Sequence, residues 1–285
     1  MKSTSIDVSG KLPHGLVELY ACIDGAAKQV DVPFLIVGAM ARDLVMVHGF
    51  GAQLERGTRD VDFAVDVATW EAFSRLSSVL VESGFKSDTA QPHKLHFVDS
   101  ESSPWEVDII PFGQLADPEH AIHWPPDQAF TMSVLGFDEA RQHALRVCIS
   151  NDPRIEVPVA SPAGIALLKL IAWLDREPDR RAKDAVDLDY LMRTYVAIPA
   201  VENAVFETGV METCDWDQDL ASAMQLGCDT GAIASSESRK LIERELFAAP
   251  ESKSRILRDM NLGQGLMSAE QMLEVFINGF RSGAA

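Results

Sequence analysis

The hydrophobic pattern of this chain changes character at Ser161-Pro162. Upstream, apolar residues fall into short runs and alternations bounded by turn residues, which is how strands mixed with helices are written. Downstream, they recur at helical spacing. Ser161 suits an N-cap and Pro162 a first helical position, so a strongly apolar helix is expected through Leu174. The chain thus divides into an α/β half, residues 1–160, and an α-helical half, residues 161–285.

Within the first half, Leu16, Leu19 and Ile23 share one helical face and predict a helix from Pro13 to about Lys28. Pro33-Phe34-Leu35-Ile36-Val37 reads as a buried strand ending in the turn Gly38-Ala39, with helix from Met40 to about His48. Val61 to Val65 alternates as a strand does, and a helix follows from about Thr69 to Glu82. Lys94–Val98 and Trp105–Ile110, joined by a polar turn, predict an antiparallel hairpin. Residues 113–127 read as a long loop, and strands are expected around 131–137, 144–149 and 155–159. In the second half, a charged segment over 175–183 leads to a helix ending near Tyr195. Helices follow from Pro199, with loops at 227–235 and 263–265.

Composition narrows the function. Of 285 residues, 47% are hydrophobic and 24% charged, an ordinary soluble balance, and no apolar run is long enough for a membrane span. The N-terminal residues do not read as a secretory signal, and the four scattered cysteines have no zinc-like spacing. A cytoplasmic chain with free thiols is expected. A net charge of −18 opposes a long nucleic-acid footprint, because phosphate binding relies on clustered Lys and Arg.

Three features carry chemistry. Gly38-Ala39 joins a buried strand to a helix, a place where free backbone N–H groups suit a phosphate. In Arg56-Gly57-Thr58-Arg59-Asp60-Val61-Asp62-Phe63, residues two apart on a strand share a face, so Asp60 and Asp62 project side by side. Two such carboxylates repel unless a cation lies between them, and Mg²⁺ with its oxygen preference fits the pair. Asp108, flanked by Val107 and Ile109, is costly to bury unless paired or metal-bound. If its strand neighbours that of Asp60 and Asp62, three carboxylates converge and can hold two metal ions.

In this order and spacing the three features resemble the polymerase-β-type nucleotidyltransferase superfamily over roughly residues 30 to 112. The resemblance implies a mixed, mostly antiparallel sheet flanked by helices, with a helical C-terminal domain contributing to the active-site cleft. Ala39 departs from the usual Gly-Gly or Gly-Ser turn and removes a serine hydroxyl, leaving the backbone amide. Downstream, Lys169 within an apolar helix and Arg181-Ala182-Lys183-Asp184-Ala185-Val186-Asp187-Leu188 resemble the AbiEii/AbiGii-like branch. That branch implies that Lys169 contacts the nucleoside triphosphate and that Asp184 orients it or acts as a base. Asp187 competes for Lys169, and snorkelling of Lys169 to the surface is the alternative to any partner. Arg42, one turn past the glycine, reaches either a phosphate or a surface ion pair with Asp43 or Glu55.

The expected activity is Mg²⁺-dependent transfer of a nucleoside monophosphate from an NTP to a hydroxyl on RNA, protein or a small molecule. Asp60, Asp62 and Asp108 hold two Mg²⁺ ions in this reading, and Gly38, Ala39, Arg42 and Lys169 bind the nucleotide. The branch implies a toxin or phage-defence component with an antitoxin protein as partner and no membrane. The alternatives are an aminoglycoside-type nucleotidyltransferase and a non-catalytic nucleotide-binding module.

Overall fold

Apolar alternation and well-placed caps build the first half into a sheet with helices, as a computed structural model shows. Residues 5–54, 57–89, 91–125, 130–260 and 266–283 are described. Strand β1 (Ile6–Asp7) precedes helix α1 (His14–Val30), whose Leu16, Leu19, Tyr20 and Ile23 are buried. Strand β2 (Phe34–Val37) is buried throughout and feeds helix α2 (Gly38–Arg42), which continues in wider helical turns over Asp43–Gly49. Strand β3 (Asp60–Asp66) leads to α3 (Trp70–Glu82), where Thr69 Oγ1 accepts the N–H of Ala72 as an N-cap does. Then come β4 (Lys86–Ser87), β5 (Lys94–Val98), β6 (Pro104–Phe112), β7 (Ala121–His123) and β8 (Thr131–Ser133). A short helix α4 (Phe137–Gln142) precedes β9 (Leu145–Asn151) and β10 (Arg154–Val159).

The main sheet has eight strands in the order β1-β9-β10-β2-β3-β6-β5-β4. The β1–β9, β10–β2 and β3–β6 pairs are parallel and the other four antiparallel, so the sheet is mixed and mostly antiparallel, as expected. Parallel β3 and β6 lie at its middle. Such pairing needs a long crossover, here supplied by α3 and the β4–β5 strands.

Two expectations in this half are corrected. The stretch 113–127 is not all loop: β7 and β8 form a separate two-stranded hairpin. Asp117 Oδ1 accepts the N–H groups of Glu119 and Ala121 to shape its entry, and Trp124 beyond it is 2% exposed, tilted against Trp70 and edge-on to Phe73. The polar composition hid a hairpin whose purpose is to bury one tryptophan. The strand expected over 131–137 ends at Ser133, because Gly136 at φ +90° turns the chain into α4.

The chain packs as two units, one of residues 1–49 and 53–161, the other of 50–52 and 162–285. The second unit is helical: α5 (Pro162–Asp175), α6 (Pro178–Thr194), a short turn to α7 (Pro199–Glu207), α8 (Val210–Thr213), α9 (Gln218–Ile233), α10 (Ser236–Ile242), α11 (Pro250–Met260) and α12 (Leu266–Ser282). The charged segment 175–183 is mostly helix, since Pro178 sits where a first-turn proline costs nothing. The loop expected at 227–235 is also corrected: α9 runs through Ile233 with Gly227 and Gly231 inside it. Those glycines do not break the helix; they let another helix touch it. A Cβ on Gly227 would lie 2.2 Å from the carbonyl oxygen of Phe276, and one on Gly231 2.2 Å from that of Phe280. From α12, a Cβ on Gly279 would lie 2.1 Å from the carbonyl oxygen of Met224. The loop expected at 263–265 lies outside the described residues. Cys22, Cys148, Cys214 and Cys228 are free thiols, and among the described residues no helix is long and apolar enough to cross a membrane.

Candidate active site

Strand alternation and sheet register together decide what faces Asp60 and Asp62. On β3 the two aspartates share a face, while Val61 and Phe63, both fully buried, take the other. Register sets Asp60 opposite Glu106 and Asp62 opposite Asp108 on parallel β6. Neighbouring strands lie about 4.8 Å apart, so the condition set by the sequence, that the strand of Asp108 adjoin that of the pair, is met. On the far side of β6, antiparallel β5 sets His96 opposite Glu106 and Lys94 opposite Asp108. One row across three strands therefore reads Asp62, Asp108, Lys94.

The glycine turn closes this row from the other side. Val37 is the register partner of Asp62 on β2, so Gly38 begins α2 directly beside that carboxylate. Gly38 has φ +72°, and a Cβ there would lie 2.2 Å from Asp62 Oδ2. The space that a side chain would fill belongs to the Asp62 carboxylate. Ala39 follows in the first helical turn, whose N–H groups have no acceptor within the helix.

Asp60 is exposed at the strand's start, where its N–H donates to Thr58 Oγ1 at 3.1 Å. Asp108 is partly buried, and its Oδ1 accepts no hydrogen bond among the described residues, with Lys94 Nζ 3.4 Å away. Lys94 Nζ donates to Glu106 Oε2 at 2.8 Å, and this bond, ahead of the charge of Asp108, holds its pKa above the ordinary lysine value. The phenol of Tyr20 on α1 is fully buried; burial first, then the charges of Asp62 and Asp43, keep it protonated.

Among the described residues no three His, Cys, Asp or Glu side chains are arranged to hold a metal ion. The donor set nonetheless fits one. Asp60 and Asp62 are hard oxygen donors on one strand face, and Gly38 leaves Asp62 its room.

Arg42 is 2% exposed, and its Nε and Nη2 donate to Asp43 Oδ1 at 2.8 and 2.7 Å. Of the two readings open in the sequence this is the ion pair, buried rather than on the surface. Arg56 lies outside the described residues.

In the helical unit, Lys169 on α5 does not snorkel. It is 9% exposed, with Nζ 3.0 Å from Asp184 Oδ1 and 2.7 Å from Asp187 Oδ2, both on α6. The choice between Asp184 and Asp187, open in the sequence, is answered by both, since residues three apart on a helix face the same way. Burial alone would lower the Lys169 pKa; Asp187, then Asp184, outweigh it and raise it above the ordinary value. Arg176 adds a bidentate contact to Asp184, its Nη1 lying 2.7 Å from Oδ1 and 2.5 Å from Oδ2.

Sequence reasoning missed Lys94 and Glu106. The signal was present: in the hairpin of β5 and β6, Val98 pairs with Pro104, and counting outward from that turn sets Lys94 against Asp108.

A glycine turn thus lies beside carboxylates aligned on neighbouring strands of a mixed sheet, the arrangement that the sequence resemblance leads one to expect. The chain belongs to the AbiEii nucleotidyltransferase toxin family, whose model, described as nucleotidyl transferase AbiEii toxin of a type IV toxin–antitoxin system, matches residues 26–264. No curated protein matches the chain. Among solved structures it is similar to an antigenic nucleotidyltransferase-like protein from Paracoccidioides brasiliensis, with 15% identity, a TM-score of 0.41, and 72% of this chain and 92% of that one covered. It is also similar to the lincomycin-bound lincosamide antibiotic adenylyltransferase LnuA (18% identity, TM-score 0.36, 61% and 93% covered). A third is the Thermotoga maritima CCA-adding enzyme with tRNA (12% identity, TM-score 0.28, 96% and 82% covered).

Proposed function

We propose that this protein transfers a nucleoside monophosphate from an NTP to an acceptor hydroxyl as the toxin of a toxin–antitoxin pair. The observation that carries the reading is the register of Asp62 with Asp108 on adjacent parallel strands, beside the space that Gly38 leaves open. Asp60 and Asp62 are the residues that hold Mg²⁺, which when bound offsets charge on the triphosphate. The N–H groups of Gly38 and Ala39 bind phosphate oxygens. Asp108 accepts a hydrogen bond from the attacking hydroxyl and takes its proton as that oxygen bonds to the α-phosphorus. The bond from the α-phosphorus to its bridging oxygen breaks, and pyrophosphate leaves. The Lys169 ammonium is the charge that the family resemblance assigns to the triphosphate, and Asp184 and Asp187 keep it protonated and fixed in direction.

The acceptor is a hydroxyl on RNA or protein, and the partner is an antitoxin protein. One observation favours a second reading: a net charge of −18 suits a cationic small acceptor such as an aminoglycoside better than a polyanion.

Incubation with Mg²⁺ and each of the four labelled NTPs, against total tRNA, protein lysate and aminoglycosides, tests both readings. Label moves to one acceptor class, and Asp62→Ala reduces transfer at least about 100-fold, since losing a ligand exceeds the 10–100-fold typical of outer-shell losses. Absence of nucleotide binding, or transfer indifferent to Asp62→Ala, would sink the enzyme reading.

A further inference from the structure

We infer that Lys94 occupies the place of a second metal ion, so that the centre binds a single divalent cation at Asp60 and Asp62. This rests on the reading of those residues as the metal-binding pair, and it revises the expectation of two ions.

A two-ion centre would need the third carboxylate free to ligate a cation together with the other two. Here the third carboxylate already faces a cation. Lys94 Nζ is 3.4 Å from Asp108 Oδ1 and 2.8 Å from Glu106 Oε2, with the side chain only 17% exposed. The placement is built in by the backbone. Lys94 is the register partner of Asp108, its N–H donates to Gln91 O, and its carbonyl accepts from Asp88 N. One residue earlier, the His93 carbonyl accepts the N–H of Ile109, next to Asp108, at 2.8 Å. The ammonium is thus delivered by a strand locked to the strand of Asp108.

A second divalent ion on Asp108 has to lie within a few ångströms of this ammonium or displace it. The first repels; the second strips Lys94 from both Asp108 and Glu106. Asp60 and Asp62 both lie on β3, two strands from Lys94 on β5, and keep their own ion. Unlike a metal ion, a lysine next to Asp108 needs no loading, so the proton-accepting carboxylate stays oriented before nucleotide arrives.

Counting Mn²⁺ ions tests the inference without activity. With protein in excess over a non-hydrolysable NTP analogue, so that all nucleotide is bound, free Mn²⁺ is followed by electron paramagnetic resonance. The wild type takes up one Mn²⁺ per bound analogue, and Lys94→Met takes up two. Lys94→Gln, which removes the charge and keeps an amide donor on a slightly shorter side chain, also takes up two and serves if Lys94→Met does not fold. Lys94→Arg takes up one. Two ions in the wild type, or one in the folded neutral variants, overturns the inference while leaving the metal pair intact. Failure of the wild type to bind the analogue at all sinks the underlying reading instead.

Discussion

Gly38 and Asp62 share one space: a Cβ on residue 38 would lie 2.2 Å from Oδ2 and 3.1 Å from Cβ of Asp62. The strand pairing that sets Val37 against Asp62 fixes this contact, and the φ of +72° at Gly38 is the backbone side of the same constraint. Gly38→Ala meets both penalties. The left-handed backbone costs a non-glycine residue roughly 1–2 kcal/mol, and the new methyl drives Asp62 out of the carboxylate row. The expected result is a lowered melting temperature together with weakened Mg²⁺-dependent nucleotide binding, measured by calorimetric titration. Unchanged binding in a folded variant would show that the Asp62 position is not needed.

Two glycines inside helices give a second, opposite-signed pair. Gly279 on α12 packs so closely that a methyl would lie 2.1 Å from the carbonyl oxygen of Met224, whereas Gly25 on α1 has nothing within 4 Å. Alanine in a helix interior gains about 1 kcal/mol over glycine. At Gly25 that gain is realised, so Gly25→Ala stabilises by about this amount in urea unfolding. At Gly279 the clash is with backbone and can be relieved only by parting the helices, an overpacking cost of about 1–3 kcal/mol. Gly279→Ala is therefore expected to destabilise, and a stabilised Gly279→Ala would contradict the close approach of α9 and α12.

Lys169 stabilises its unit chiefly by what it neutralises. Asp184 and Asp187 are each 1% exposed, and Lys169→Met leaves them buried, with Arg176 still paired to Asp184. Removing one partner from a buried ion cluster costs about 3–5 kcal/mol. Adding Asp187→Asn to Lys169→Met removes one of the two buried negative charges and recovers part of that loss. Chemical denaturation of the single and double variants measures both. A single variant within about 1 kcal/mol of wild type would show that Lys169 is not what stabilises the buried carboxylates.

Asp99 carries an acid-side pH dependence. Its carboxylate accepts from Trp105 Nε1 at 2.9 Å and from the N–H groups of Ser103 and Glu101 at 2.8 and 3.0 Å. The Trp105 bond, then that of Ser103, hold its pKa below the ordinary value. A group lowered on folding stabilises above its unfolded pKa, about 3.9, and loses that contribution as pH falls through the folded value. Asp99→Asn is expected to lower the melting temperature at pH 7, with the gap to wild type narrowing below about pH 4. Thermal melts across pH 2.5 to 7 check it (about the span in which a carboxylate titrates). A gap that widens toward acid would refute the assignment.

Much of the fold was legible in local pattern. The apolar run 34–37, the alternation at 61–65 and the face shared by Leu16, Leu19 and Ile23 each appear as the element they predict. The failures share a cause. Gly227 and Gly231 read as a loop because a glycine's helix cost is local, while its benefit, contact with α12, is not. The β7–β8 hairpin was hidden because its reason for existing is Trp124, which finds Trp70 and Phe73 only across the fold.

For the site, the chain's periodicity already implied that Asp60 and Asp62 share a face and that Lys169 on an apolar helix needs a partner. Both follow from periods of two and 3.6 residues, which any strand or helix imposes. Tertiary structure alone decided that β3 lies parallel to β6, which brings Asp108 beside Asp62. It likewise decided that Asp184 and Asp187 both close on Lys169, and that Arg42 turns inward to Asp43. Parallel pairing and helix packing are chosen by hydrogen bonds and burial summed over the whole core, and no local stretch of sequence contains that sum.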